Sequence, residues 1–130
     1  MKNGDTYEYQ NTVKKEYTAD ALGSGGIEVF STPYLVCWME AAAHFYLAKH
    51  LPDGQTSVGT LVNISHLAPS PVGASITTKC ELESISENGK IFTFKVWAYD
   101  NCGLIGEGTH QRAVIDAERF MKKARAKLEA

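Results

Sequence analysis

The longest apolar stretch of the chain runs from Tyr34 to Leu47 and is interrupted only by Glu40 and His44. Ser31-Thr32-Pro33 precedes it and Pro52-Asp53-Gly54 follows it. Thr32 can cap the free N–H groups at a helix start, and Pro33 fits the first turn, where its missing N–H costs nothing. The pattern therefore predicts a helix over 33–50, roughly 27 Å long at ~1.5 Å per residue. Its apolar residues fall on nearly every face, which predicts burial on every face and something that wraps it.

Later segments alternate with a period of two, the pattern of half-buried strands. Val58, Thr60, Val62, Ile64 and His66 would share one face, with Gly59, Leu61, Asn63 and Ser65 on the other. Segments 75–86 and 90–99 flank Glu87-Asn88-Gly89, and Asn-Gly between such runs is a strong hairpin signal. Phe92, Phe94, Val96 and Ala98 share a face of the second strand. Asp100-Asn101-Cys102-Gly103 turns the chain into a last strand over 104–115, where Gly106, Gly108, His110 and Arg112 share a face. Val13–Thr18 reads as an edge strand after a loose first dozen residues, and Gly23-Ser24-Gly25-Gly26 as a flexible connector. Asp116 would cap a terminal helix whose basic residues lie towards its end, as the helix dipole favours. The expected architecture is α+β: a five-stranded antiparallel sheet wrapped round one long central helix, with a short C-terminal helix.

Composition narrows the function. A chain of 130 residues suits one domain over 1–130, and 44% hydrophobic with 22% charged residues is ordinary for a globular protein. Thirteen Lys+Arg against 15 Asp+Glu give a net charge of −2, which argues against nucleic-acid binding. No apolar run approaches the ~20 residues of a membrane span, and the polar start resembles no secretory leader. Cys37, Cys80 and Cys102 are widely spaced with no CxxC, so neither a disulfide framework nor a zinc cluster is expected. A cytoplasmic protein is the expectation.

Four residues carry candidate chemistry. Glu40 is a carboxylate inside the apolar helix: it is either a general base in a cleft or one half of an i,i+4 pair with His44. His66 ends an apolar strand face just before a loop with Pro69, Pro71 and Gly73, so it is either a satisfied core histidine or the lining of a cleft mouth. Thr32 is a helix cap that also sits where an oxyanion would be stabilised. Arg112 is either a clamp for phosphate or amide groups or a solvated surface cation. Glycines at 59, 106 and 108 allow close approach of backbone or ligand. Glu40, His44, His66 and His110 lack metal-binding spacing, and no metal or cofactor is expected.

Three segments together resemble the hotdog-fold thioesterases, and within them the fluoroacetyl-CoA thioesterase group. They are the apolar helix after Ser31-Thr32-Pro33, the strand Ser57-Val58-Gly59-Thr60-Leu61-Val62-Asn63-Ile64-Ser65-His66-Leu67, and Gly106-Glu107-Gly108-Thr109-His110-Gln111-Arg112. The resemblance covers about residues 10 to 116. It implies that Thr32, Glu40 and His66 are catalytic, that Gly59 lies against the acyl thioester and that Arg112 helps hold the substrate. It also implies a homodimer, or a higher oligomer built on it, with two sheets joined edge to edge and the CoA groove at the interface. The group gates its acyl pocket with aromatic side chains ahead of the helix. Residues 21–27 contain none, so the expected activity is hydrolysis of a small acyl-CoA rather than of fluoroacetyl-CoA in particular. Glu40 would act as base or nucleophile, His66 would move the proton, and Thr32 would hold the carbonyl. The alternative is a non-catalytic acyl-CoA-binding module on the same fold.

Overall fold

A computed structural model describes residues 1–129. One antiparallel sheet of five strands is built from β1 (Thr6–Thr12), β2 (Gln55–His66), β3 (Ser75–Ile85), β4 (Ile91–Asp100) and β5 (Gly103–Asp116), in the order β1-β3-β4-β5-β2. The long helix α2 (Thr32–Ala48) lies in its concave face, a single turn α1 (Ala19–Leu22) precedes it, and α3 (Ala117–Ala126) follows the last strand. This is the expected architecture, and the Asn88-Gly89 hairpin closes as predicted, with Gly89 at φ 74°. Asp116 caps α3 by accepting from the Arg119 N–H at 2.9 Å.

The core lies between α2 and the sheet. Leu35, Trp38, Met39, Ala42 and Leu47 pack on Ile76, Cys80 and Leu82 of β3 and on Phe92, Phe94, Val96 and Ala98 of β4, all buried. Beneath the helix start, Phe30 packs against Trp38 in a tilted arrangement with ring centroids 4.6 Å apart. Buried Thr78 donates to the Trp38 carbonyl at 2.7 Å, tying helix to sheet through a group that would otherwise be costly to bury.

Four expectations are corrected. The first strand is Thr6–Thr12, paired with β3, whereas Val13–Thr18 holds a 3₁₀ turn at Lys15–Tyr17 between buried Val13 and Thr18. In β1, Tyr7, Tyr9 and Asn11 turn inward against polar outward residues, an alternation masked by the many polar side chains. The helix cap is Ser31, whose hydroxyl accepts from the Tyr34 N–H at 3.3 Å, so Thr32 is the first helical residue and its side chain is spare. The sheet wraps α2 without burying every face of it: Val36, Cys37, Glu40, Ala41 and His44 form a stripe that the chain leaves partly or fully open.

The fourth correction matters most for the site. β2 does not alternate evenly, because a bulge at Thr60 shifts its register on β5: Gly59 faces Arg112, and Leu61 faces Gln111. Before the bulge the odd positions Ser57 and Gly59 point to the helix; after it the even positions Val62, Ile64 and His66 do. Val58 and Thr60 therefore leave the face predicted for them, and Gly59 joins it. One extra residue places Gly59 and His66 on the same concave face.

Candidate active site

Two clusters of polar side chains interrupt the concave face. The first sits at the start of α2. Thr32 Oγ1 and His66 Nδ1 are 2.8 Å apart, joining the first helical residue to the last residue of β2. His66 Nε2 is buried with no hydrogen-bond partner, and either tautomer leaves it so. A buried polar atom without a partner costs about 1–3 kcal/mol, so it marks a place where a ligand can supply the missing bond. Burial pushes the imidazole below its ordinary pKa, and the Ala68 backbone offsets part of this. The pair opens into a cavity of about 320 Å³ that also touches Ala19, Ser24, Phe30 and Leu67. The glycine-rich connector thus borders the Thr32–His66 pair through Ser24.

The second cluster lies two turns further along α2. Arg112 on β5 is only 5% exposed, and every nitrogen of its guanidinium is used. Nε donates to Ser57 Oγ at 2.8 Å and Nη2 to the Ser57 carbonyl at 3.0 Å. Nη1 donates to Glu40 Oε2 at 3.1 Å and to His110 Nε2 at 3.1 Å. A guanidinium cannot accept, so His110 Nε2 must carry a lone pair and Nδ1 the proton. That proton goes to the Leu61 carbonyl, 2.8 Å away, which the β2 bulge turns inward. Burial lowers the His110 pKa against the pull of this carbonyl, and Arg112 adds to the lowering; a neutral ring is what the hydrogen bonds require.

Gly59 completes this cluster. A Cβ at position 59 would collide with Glu40 Oε2 and come within 3.3 Å of His110 Cε1. The carboxylate therefore occupies space that only glycine leaves. Gly108 serves the sheet instead: a Cβ there would strike the β2 backbone at Asn63 and Ile64. Gly106 would strike Leu35 and the Ser65 carbonyl.

The structure thus keeps all five candidates on one face, but in two groups: Thr32 with His66, and Glu40 with Gly59 and Arg112. Glu40 pairs with Arg112 rather than with His44, and its side chain stays 37% exposed on the open stripe. Arg112 is neither a solvated cation nor free to reach an outside phosphate. Sequence reasoning missed Ser57 altogether and gave His110 no role. The signal for Ser57 was the bulge, which strict alternation conceals.

The same sheet and helix recur in solved thioesterases. The fluoroacetyl-CoA thioesterase FlK superposes with a TM-score of 0.91 over 98% of this chain and 97% of its own, at 34% identity. A variant of FlK with fluoroacetate and CoA bound superposes at 0.87 over 92% of this chain and 99% of its own, at 33% identity. A thioesterase superfamily member of Thermus thermophilus, 24% identical over 98% of this chain and 93% of its own, shares the fold at 0.88. Fold and relatives together define a hotdog-fold thioester hydrolase. The family is narrower still. Residues 13–118 match the model of the fluoroacetyl-CoA-specific thioesterases, and a fluoroacetyl-CoA thioesterase from Streptantibioticus cattleyicolor is 40% identical over 103 residues, 79% of this chain and 73% of the relative. The chain belongs to this family.

Proposed function

We propose that Glu40, Thr32 and His66 carry out the hydrolysis of a small acyl-CoA, and that two copies of the chain build each site. The observation behind this reading is the Thr32–His66 pair, poised over a 320 Å³ cavity with an unsatisfied imidazole nitrogen. Arg112 takes one oxygen of Glu40, which leaves Oε1 for the attacking water. Glu40 accepts a proton from that water as it adds to the thioester carbonyl. The Thr32 hydroxyl, at the positive end of α2, holds the carbonyl oxygen as it becomes negative. The proton taken up by Glu40 passes to His66, which delivers it to the thiolate as the C–S bond breaks, so both side chains return to their starting states. A cavity of this size suits a short acyl chain, and the lack of aromatic side chains over 21–27 speaks against a filter for fluorine.

Within one chain Gly59, beside Glu40, is seven positions from His66, ~23 Å along a strand. An antiparallel pairing of two β2 edges about Leu61 puts His66 of the partner subunit opposite Thr56, three positions or ~10 Å from Gly59. Two features support such a dimer: β2 is an edge strand exposed from Gly59 to Asn63, and the stripe of α2 around Glu40 is uncovered. We also infer a reducing, cytoplasmic setting, in keeping with three free cysteines. No helix among the described residues is long and apolar enough to cross a membrane.

The test is release of free CoA from a panel of acyl-CoA esters by the wild type and by Glu40→Gln, His66→Ala and Thr32→Ser. Turnover of short acyl esters that collapses in Glu40→Gln and His66→Ala supports the assignment; full activity in Glu40→Gln removes it.

A further inference from the structure

Among the described residues, Arg112 is the only buried side chain that carries a full charge. Burying a charge is costly unless its donors are met, so the partners of Arg112 report what it is held for. Besides Glu40 they are Ser57 and His110. These two are 7% and 1% exposed, too deep to touch a bound substrate, so any effect they have on catalysis runs through Arg112.

The guanidinium is held edge by edge. One edge, Nε and Nη2, grips a single residue: the Ser57 hydroxyl at 2.8 Å and the Ser57 carbonyl at 3.0 Å. Two bonds to one residue fix the plane of the group. The two hydrogens of Nη1 remain. One goes to His110 Nε2 and the other to Glu40 Oε2, both at 3.1 Å. With the plane set by Ser57 and one hydrogen committed to His110, the last hydrogen has a single direction, and Oε2 lies along it. The His110 ring is fixed in turn. Its Nδ1 proton is tied to the Leu61 carbonyl, its face lies along Phe94 with centroids 6.5 Å apart, and Cε1 borders the space left by Gly59. A flipped ring would turn carbon toward Arg112 and lose both bonds.

Glu40 needs such a guide. Its side chain has several rotatable bonds and stands on the open stripe of α2. Oε2 is seated between Arg112 and Gly59, and among the described residues nothing bonds Oε1. The bulge at Thr60 serves this arrangement twice: before it Ser57 points inward, and beyond it the Leu61 carbonyl does.

We propose that Ser57 and His110 are positioning residues for the hydrolysis: they aim the Arg112 guanidinium, and through it they decide which oxygen of Glu40 is held and which is left for water. This rests on the acyl-CoA reading above. Arg112 then serves the carboxylate rather than the substrate. Its planar fork is the feature in use, and charge alone would not suffice.

The experiment measures kcat and KM separately, by CoA release, for Ser57→Ala, His110→Asn, His110→Gln and Arg112→Lys. Calorimetry gives the Kd for free CoA, and thermal melting sets an assay temperature at which each variant is folded. The asparagine amide can still donate to Leu61 but ends short of Arg112, whereas the glutamine amide oxygen reaches the place of Nε2. Ser57→Ala and His110→Asn should each lower kcat about 10- to 100-fold, with KM and the CoA Kd within about two-fold of the wild type. Arg112→Lys, which keeps the charge without the fork, should lose at least as much. His110→Gln should recover kcat to within about three-fold of the wild type. Should His110→Asn not fold, Ser57→Ala and Arg112→Lys carry the same test. Wild-type kcat in folded Ser57→Ala, a loss that appears in KM instead of kcat, full activity in Arg112→Lys, or His110→Gln as poor as a folded His110→Asn overturns the proposal. Glu40→Gln separates this from the catalytic assignment. If it keeps full activity, that assignment falls and the proposal with it; if it is inactive while Ser57→Ala runs at the wild-type rate, the proposal alone falls.

Discussion

The two polar clusters are built in opposite ways. Around Arg112, five hydrogen bonds link Ser57, Glu40, His110 and Leu61, and nearly every donor has a definite acceptor. Around His66, a single hydrogen bond to Thr32 holds the ring, and the far nitrogen is left without a partner. The first arrangement fixes a carboxylate before anything binds, as preorganised catalysis requires. The second leaves a buried nitrogen open to a hydrogen bond from outside the chain. The protein thus holds the Glu40 carboxylate in place and leaves the Thr32–His66 pair open, with β2 supplying residues to both.

Substitutions can break this contrast from either side. The largest loss is expected for Glu40→Gln, about 10²–10⁴-fold in kcat with KM little changed, measured as CoA release. Next come Thr32→Ala and His66→Ala, each about 10²–10³-fold, while Thr32→Ser keeps the hydroxyl and most of the rate. Gly59→Ala should fold, since alanine is tolerated in a strand, but its Cβ must displace Glu40, and kcat should fall about 10- to 100-fold without loss of melting temperature. His110→Phe removes the acceptor for Arg112 and the donor for Leu61. It should cost about 1–3 kcal/mol of stability in denaturant unfolding, together with activity, because two buried groups lose their partners. The smallest effect is the pH dependence of stability. His44, His66 and His110 are all held below their ordinary value, chiefly by burial. The unfolded chain takes up these protons near pH 6.5 while the fold resists them, so melting temperature should fall as pH drops below about 6.5 and level off above it.

Much of this was legible from residue order. The long helix followed from its apolar run and its Pro signals, and the β3–β4 hairpin from Asn88-Gly89. The inward face of β5 followed from Gly106, Gly108, His110 and Arg112. Long-range facts were not legible. β1 was hidden because an edge strand tolerates polar residues on both faces, so its alternation is faint. The cap was misplaced by one residue because Ser31 and Thr32 are equally able to accept from the helix, and only the link to His66 decides between them. The burial of Arg112 depends on three partners drawn from α2, β2 and β5. The bulge at Thr60 depends on pairing with β5 and has no local mark beyond Gly59. It is the feature that brings Gly59 and His66 to one face, so the part of the site hardest to foresee is the part that assembles it.

The account turns on Glu40 and His66 acting on one thioester although the chain holds them apart. Subunit mixing tests this directly: Glu40→Gln and His66→Ala proteins, each inactive alone, are combined under conditions that exchange subunits. If each site takes its carboxylate from one copy and its imidazole from the other, half of the dimers regain one intact site and CoA release recovers to about a quarter of the wild-type rate. A mixture that exchanges subunits yet stays as inactive as its components would contradict it.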